Sequence, residues 1–195
     1  MSKTENTARL VLVTGGARSG KSSFAERYVA AHGERIAYIA TAQIFDDEMR
    51  YRVKLHRARR PAAWQTYEAP FDAENAIAEA AKTHDALLFD CLTVYLSNLL
   101  CAMTEEEQQD EALTYARVEQ AAADLLRAAG DLPADARVIF VTNEVGDGIV
   151  PLNHLARLYR DLSGLMNQRI AAAADKVYLV CCGIPVDLKH LKEEF

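Results

Sequence analysis

Short apolar runs rich in β-branched residues recur along the chain at Leu10–Thr14, Ile36–Ala40, Ala86–Asp90, Val138–Thr142 and Val177–Cys181, each closed by polar or turn-forming residues. That is the pattern of strands buried on both faces. Trp64–Glu68 repeats it more weakly and is expected to add a further strand. Between these runs lie longer segments of helical composition, Lys21–His32, Asp46–Arg60, Asp72–Thr83, Thr104–Ala129 and Asn153–Ala174. Strands alternating with helices need right-handed crossovers, which build a mainly parallel sheet covered on both faces. The expected architecture is a doubly wound α/β domain.

With 195 residues, half of them hydrophobic, the chain is long enough for one buried core and short for two. Residues 1–8 are polar and are expected to form a flexible tail ahead of a single catalytic domain over 9–195. No stretch approaches ~18 consecutive apolar residues, and Met1–Ala8 lacks the basic-then-apolar order of a secretory signal, so a cytoplasmic protein without membrane insertion is expected. A net charge of −6 argues against general nucleic-acid binding, which needs basic surface to displace counterions. Cys91, Cys101, Cys181 and Cys182 form no Cys-x-x-Cys pair and have no histidine at metal-ligand spacing, so they are expected to be reduced and mostly buried. The acidic cluster Glu105, Glu106, Glu107, Asp110, Glu111 reads as a solvated helix start favoured by the helix dipole. Leu132–Asp135 reads as a surface connection, and Trp64 and Tyr67 as packing residues.

The first strand runs into Gly15-Gly16-Ala17-Arg18-Ser19-Gly20-Lys21-Ser22, which fits Gly-x-x-x-x-Gly-Lys-Ser in its required context between strand and helix. Glycines let backbone N–H groups turn inward around an anion, and the helix N-terminus adds its dipole. Lys21 offers charge to the outer phosphates and Ser22 a hydroxyl to Mg²⁺. Magnesium held this way usually recruits a carboxylate from the end of a neighbouring strand, and Asp90, closing Ala86–Asp90, fits that role; it also fits a helix cap. The chemistry implied is phosphoryl transfer from a purine nucleoside triphosphate. Asn143 and Glu144 fall just past a strand end, where ligands meet open α/β sheets, and read either as substrate-orienting or as loop residues.

A second feature lies between Arg50 and Arg60, where Arg50, Arg52, Lys54, Arg57, Arg59 and Arg60 occur without an acid in an acidic protein. In a helix, Arg59 and Arg60 lie beside His56. Adjacent cations disfavour imidazolium, leaving a neutral nucleophilic ring, and their guanidiniums can bind phosphate oxygens in pairs. From the residues alone, a solvated basic helix face with an incidental histidine is the favoured reading, because histidines usually titrate without catalysing anything.

Taken together, Ile39-Ala40-Thr41-Ala42-Gln43, Asp46-Asp47-Glu48-Met49, His56 to Pro61, Asp90-Cys91-Leu92-Thr93, Ser97-Asn98-Leu99-Leu100, Thr142-Asn143-Glu144-Val145-Gly146, Gly148-Ile149-Val150-Pro151 and Asn167-Gln168-Arg169 resemble the bifunctional adenosylcobinamide kinase/adenosylcobinamide-phosphate guanylyltransferases of cobalamin biosynthesis. The resemblance runs from about Leu10 to Lys189. It implies a RecA-like P-loop NTPase domain and two reactions: phosphorylation of the aminopropanol hydroxyl of adenosylcobinamide with GTP or ATP, then transfer of GMP from GTP to that phosphate. It also implies His56 as the residue that carries GMP covalently, with the nucleotide contacting Gly15, Gly16, Ala17, Arg18, Ser19, Gly20, Lys21 and Ser22, then Ala40, Thr41 and Ala42, then Arg57, Ala58, Arg59, Arg60, Glu68 and Asp90. Family members form oligomers, commonly trimers, and the same is expected here. A monofunctional small-molecule kinase is the alternative enzyme. A GTP-dependent switch would need a guanine-reading Asn-Lys-x-Asp segment, and Thr142-Asn143-Glu144-Val145 lacks its lysine and aspartate.

Overall fold

The computed structural model describes residues 8–43, 47, 50, 51 and 60–193. Its strands are β1 (Leu10–Thr14), β2 (Ile36–Ala40), β3 (Gln65–Glu68), β4 (Ala86–Asp90), β5 (Arg137–Val141), β6 (Lys176–Cys181) and β7 (Ile184–Asp187). Its helices include α1 (Lys21–His32), α2 (Ala73–Ala80), α3 (Leu92–Cys101), α4 (Glu105–Gln109), α5 (Glu111–Gly130) and α6 (His154–Ala173). The sheet order is β3-β2-β4-β5-β1-β6-β7, parallel throughout except for the β6–β7 hairpin.

Strand alternation divides the core in two. On one face Leu12, Ile39, Leu87, Phe89, Val138 and Phe140 pack with residues of α2, α3, α5 and α6, including Ile77, Leu96, Leu125 and Leu162. On the other, Val11, Val13, Tyr38, Leu88, Ile139 and Val141 meet Ala25, Tyr28 and Val29 of α1, with Ala8 buried among them although the sequence places it in the tail. The expected mainly parallel, two-faced sheet is what the chain forms.

Several elements differ from expectation. The Thr104–Ala129 segment is two helices, because Asp110 leaves the helical conformation and caps α5 by accepting from the Leu113 N–H at 3.0 Å. The acidic start is a capping box, with Thr104 and Glu107 each accepting from the other's backbone. Leu92–Cys101 is a helix the periodicity does not reveal, since its residues are buried on most sides. Only Cys91 is a buried thiol; Cys101, Cys181 and Cys182 are exposed. Leu132, read as surface, is buried, while Pro133, Ala134 and Asp135 beside it are exposed. Of the Asp46–Arg60 segment, Asp47, Arg50 and Tyr51 are helical, and most of the rest lies outside the described residues.

Candidate active site

The phosphate loop leaves β1 at the C-terminal edge of the sheet. Arg18 and Gly20 take positive φ values of 57° and 97°, which turns the backbone into a concavity whose N–H groups face an anion. Helix α1 then begins at Lys21 with no side chain capping it and no acid in its first turn, so its first N–H groups and dipole remain for a phosphate. By contrast, α4, α5 and α6 are each capped by a side chain, from Thr104, Asp110 and Asn153.

The loop is braced from two sides. A Cβ on Gly15 would lie 2.4 Å from the Val180 carbonyl oxygen and one on Gly20 3.1 Å from Gly183 Cα. The end of β6 and the hairpin turn after it therefore form the floor of the loop, where residues without side chains fit. From the β5 side, the Glu144 N–H donates to the Gly15 carbonyl at 3.1 Å. The Glu144 carboxylate turns away to accept from the Gly146 N–H at 3.0 Å.

Lys21 is 7 % exposed, and its ammonium folds back to donate to the Gly16 carbonyl at 3.1 Å. Burial lowers its pKa; the nearby Cys91 and Asp90 act in the opposite direction. The hydroxyls of Thr14 and Ser19 are buried and find no hydrogen-bond partner among the described residues. Unpaired buried hydroxyls are costly without a ligand or water to complete them.

Asp90 does not close a strand adjacent to the loop strand, as the sequence reading supposed. β5 lies between β4 and β1, so the carboxylate is set two strand spacings, roughly 10 Å, from β1. Register places three of the expected nucleotide contacts in one row across the sheet edge: Ala40 pairs with Glu68 on one side and with Asp90 on the other. Thr41 fastens the next step. Its hydroxyl lies 3.1 Å from the Asp90 carbonyl and 3.0 Å from that of Cys91, and accepts from the Cys91 N–H at 2.9 Å. The Asp90–Cys91 peptide is cis. Buried Asn98 donates to the carbonyls of Thr41 (2.7 Å) and Pro70 (3.0 Å), holding the Ala40-Thr41-Ala42 turn from below. Burial, then the Asp90 charge, pushes the Cys91 thiol up to about 11, so it remains a neutral neighbour of the site.

Sequence reasoning missed Tyr38. Its hydroxyl donates to Asp90 Oδ2 at 2.5 Å, and the Arg60 guanidinium carbon lies 3.2 Å from its ring centroid. Burial, then Asp90, raises its pKa well above the usual phenol value, so it stays a donor. A tyrosine inside the buried run Ile36–Ala40 is itself a signal, because a buried phenol needs a partner. Asn143 donates to the Thr93 hydroxyl at 3.1 Å, and the Thr142 hydroxyl to Asn167 Oδ1 at 2.7 Å, a polar layer behind the strand ends.

His56, Arg57, Ala58 and Arg59 lie outside the described residues; Arg60, at the end of that segment, is placed beside Asp90 through Tyr38. Trp64 and Tyr67 pack against the two cores, as expected. Among the described residues there is no cluster of three or more His, Cys, Asp or Glu suited to a metal, and no helix is long and apolar enough to cross a membrane.

A model of the family described as cobinamide kinase / cobinamide phosphate guanyltransferase matches residues 11–188. The chain is 46 % identical over 184 residues to the bifunctional adenosylcobalamin biosynthesis protein CobU of Salmonella typhimurium, covering 92 % of this chain and 99 % of that one. It is 43 % identical to the bifunctional adenosylcobalamin biosynthesis protein CobP of Pseudomonas aeruginosa, over 91 % of this chain and 96 % of that one. For the CobU protein of Escherichia coli the identity is 42 %, over 92 % and 99 % of the two chains. Among solved structures, a prototypical ATPase from a type III secretion system superposes with a TM-score of 0.57 at 12 % identity, over 95 % of this chain and 59 % of that one, a likeness of fold.

Proposed function

The chain belongs to the cobinamide kinase / cobinamide phosphate guanyltransferase family, and from that premise we propose that one site phosphorylates adenosylcobinamide and then converts the product to adenosylcobinamide-GDP. In the first step the aminopropanol hydroxyl oxygen attacks the γ-phosphorus of GTP or ATP and the nucleoside diphosphate leaves. In the second, an imidazole nitrogen of His56 attacks the α-phosphorus of GTP and pyrophosphate leaves. An oxygen of adenosylcobinamide phosphate then attacks the histidine-bound phosphorus, which frees the imidazole and forms the diphosphate.

The observation that carries this reading is the uncapped, braced loop from Gly15 to Ser22 with a buried lysine at its mouth. Both displacements add charge to phosphate oxygens, and fixed donors in a water-poor site stabilise that charge without reorganising. The Lys21 ammonium, whose charge burial disfavours, would gain by exchanging the neutral Gly16 carbonyl for an anionic phosphate oxygen. Arg60 adds a second cation from the far side of Asp90, and Glu68 with the Ala40–Ala42 turn would border the nucleoside.

The donor set fits magnesium. The Ser22 hydroxyl and the Asp90 carboxylate are hard oxygens, and the hydroxyls of Thr14 and Ser19, without a partner among the described residues, fit a hydrated cation with phosphates. Bound there, the ion would neutralise charge on the phosphate oxygens and align them. We further propose that residues 9–195 act as one catalytic unit, in the cytoplasm, as a homo-oligomer, the trimer being the form to test.

The deciding experiment incubates the protein with Mg²⁺ and α-labelled GTP without corrinoid, then maps the labelled peptide after denaturing electrophoresis. Acid-labile label on the His56 peptide supports the covalent route. Intact nucleotide binding without label would leave a kinase alone.

A further inference from the structure

Tyr38 is fixed on three sides. It sits in the middle of β2, pairing with Thr66 of β3 and Leu88 of β4, and is 2 % exposed. From there its hydroxyl reaches diagonally to Asp90 Oδ2, while the face of the same ring carries the Arg60 guanidinium. Nε and Nη1 of Arg60 are buried and have no hydrogen-bond partner among the described residues. Among the described residues the arginine is thus seated by a ring face, and Nε and Nη1 are left without an acceptor, which an anion could supply. One rigid side chain therefore touches both the carboxylate that faces the phosphate loop and the last cation of the histidine-bearing segment.

We propose that Tyr38 is a positioning residue with two separable arms: its hydroxyl orients Asp90 for the magnesium-bound phosphates, and its ring seats Arg60 for the nucleotide itself. The inference rests on the reading of Asp90 and Arg60 given above. It goes beyond that reading because it assigns the placing of both groups to a residue outside the proposed nucleotide and metal contacts.

The arms come apart with two substitutions. Tyr38→Phe keeps the ring and removes the hydroxyl; Tyr38→Leu removes both. The test measures GTP binding by the full chain as a function of Mg²⁺, and again in EDTA, with thermal unfolding alongside. Tyr38→Phe is expected to raise the Mg²⁺ concentration at half-saturation about tenfold, the scale of one lost hydrogen bond to a charged group, and to leave binding in EDTA unchanged. Tyr38→Leu is expected to show the same rise and to weaken binding in EDTA by a further three- to tenfold, on the order of a lost cation–π contact. In an Asp90→Asn background, Tyr38→Phe should add no further rise, because the two residues act as a unit.

A Mg²⁺ midpoint unmoved in Tyr38→Phe, whatever its thermal stability, overturns the hydroxyl arm. Equal EDTA binding in the Leu and Phe variants overturns the ring arm. Should the Leu variant not fold, Arg60→Met in the wild-type background tests that arm instead, and unchanged EDTA binding overturns it. Wild-type protein that binds Mg²⁺ and GTP in this assay yet takes no label on His56 would defeat the guanylyl route alone and leave the Tyr38 result standing.

Discussion

The Gly183 N–H donates to the Ser19 carbonyl at 2.8 Å, tying the turn of the β6–β7 hairpin to the middle of the phosphate loop. The loop is thereby shaped before any nucleotide arrives. A preformed anion cradle loses less entropy on binding than one that must order itself.

Glycine substitutions should separate bracing from mere flexibility. A methyl at Gly15 would press on the Val180 carbonyl at 2.4 Å and on the Ser19 hydroxyl at 2.7 Å, whereas one at Gly16 meets nothing within 4 Å. Gly15→Ala should cost about 1–3 kcal/mol in urea unfolding and abolish detectable GTP binding. Gly16→Ala should stay within about 0.5 kcal/mol of wild type.

Lys21→Ala should lower kcat/KM for both reactions at least about a hundredfold, the usual scale for removing a fixed charge-stabilising donor. Steady-state assays of each half-reaction check this. A loss confined to one of them would mean that the loop serves only that step.

The lowered pKa of Lys21 has a pH signature. In the unfolded chain the amine titrates near 10.5, and in the folded chain below it, so between the two the unfolded state holds more protons. Stability contributed by this group therefore rises with pH across that window, is complete above 10.5, and is lost as pH falls through the folded pKa. Activity moves the other way. The alkaline limb of kcat/KM, which reports the free enzyme, should lie below 10.5 and move upward in Lys21→Arg if that variant retains measurable turnover.

His56→Ala should abolish guanylyl transfer and leave the kinase step within a few-fold, because only the former needs a covalent nucleophile. The kinase is followed with labelled ATP and adenosylcobinamide. Equal loss of both activities in a folded, nucleotide-binding variant would contradict separate roles.

Asn98→Leu removes donors from two backbone carbonyls, those of Thr41 and Pro70. The variant should lose about 1–3 kcal/mol of stability and bind nucleotide more weakly, since the Ala40–Ala42 turn loses its support. Chemical unfolding and nucleotide titration on one preparation check both. Destabilisation with unchanged affinity would show that the turn holds its place without Asn98.

What could be read from the chain followed from where its physics is local. The bounds of β1, β2, β4 and α1 are legible because a buried strand shows as an unbroken apolar run, and because Gly20-Lys21 marks a helix start. The helix from Leu92 to Cys101 is hidden, since Leu92, Tyr95, Leu96 and Leu100 are apolar and buried while Thr93 and Asn98 are buried too, so no polar face marks the helical period. Strand β7 is short, contains Pro185 and exposes most of its side chains, so its pairing with β6 leaves little trace in composition. In the site, the loop is legible as a motif, but the order of strands is not. Asp90 could be assigned to a strand end, yet only long-range pairing of Leu87 with Val138 and of Leu12 with Phe140 places β5 between it and the loop. Tyr38 belongs to the same class of relationship, a contact set by register rather than by sequence distance.

That intervening strand also governs when the site can exist during synthesis. β1, with the loop after it, and β4, with Asp90, both precede β5 in the chain, and they do not pair with each other in the finished sheet. A nascent chain that stops short of Arg137 holds the complete phosphate-binding motif and the carboxylate, but lacks the strand that bonds to both β1 and β4 in the finished sheet. Competence to bind a nucleotide should therefore switch on late in translation, once the fifth strand has slotted between its two partners and the hairpin turn at Gly183 has closed under the loop.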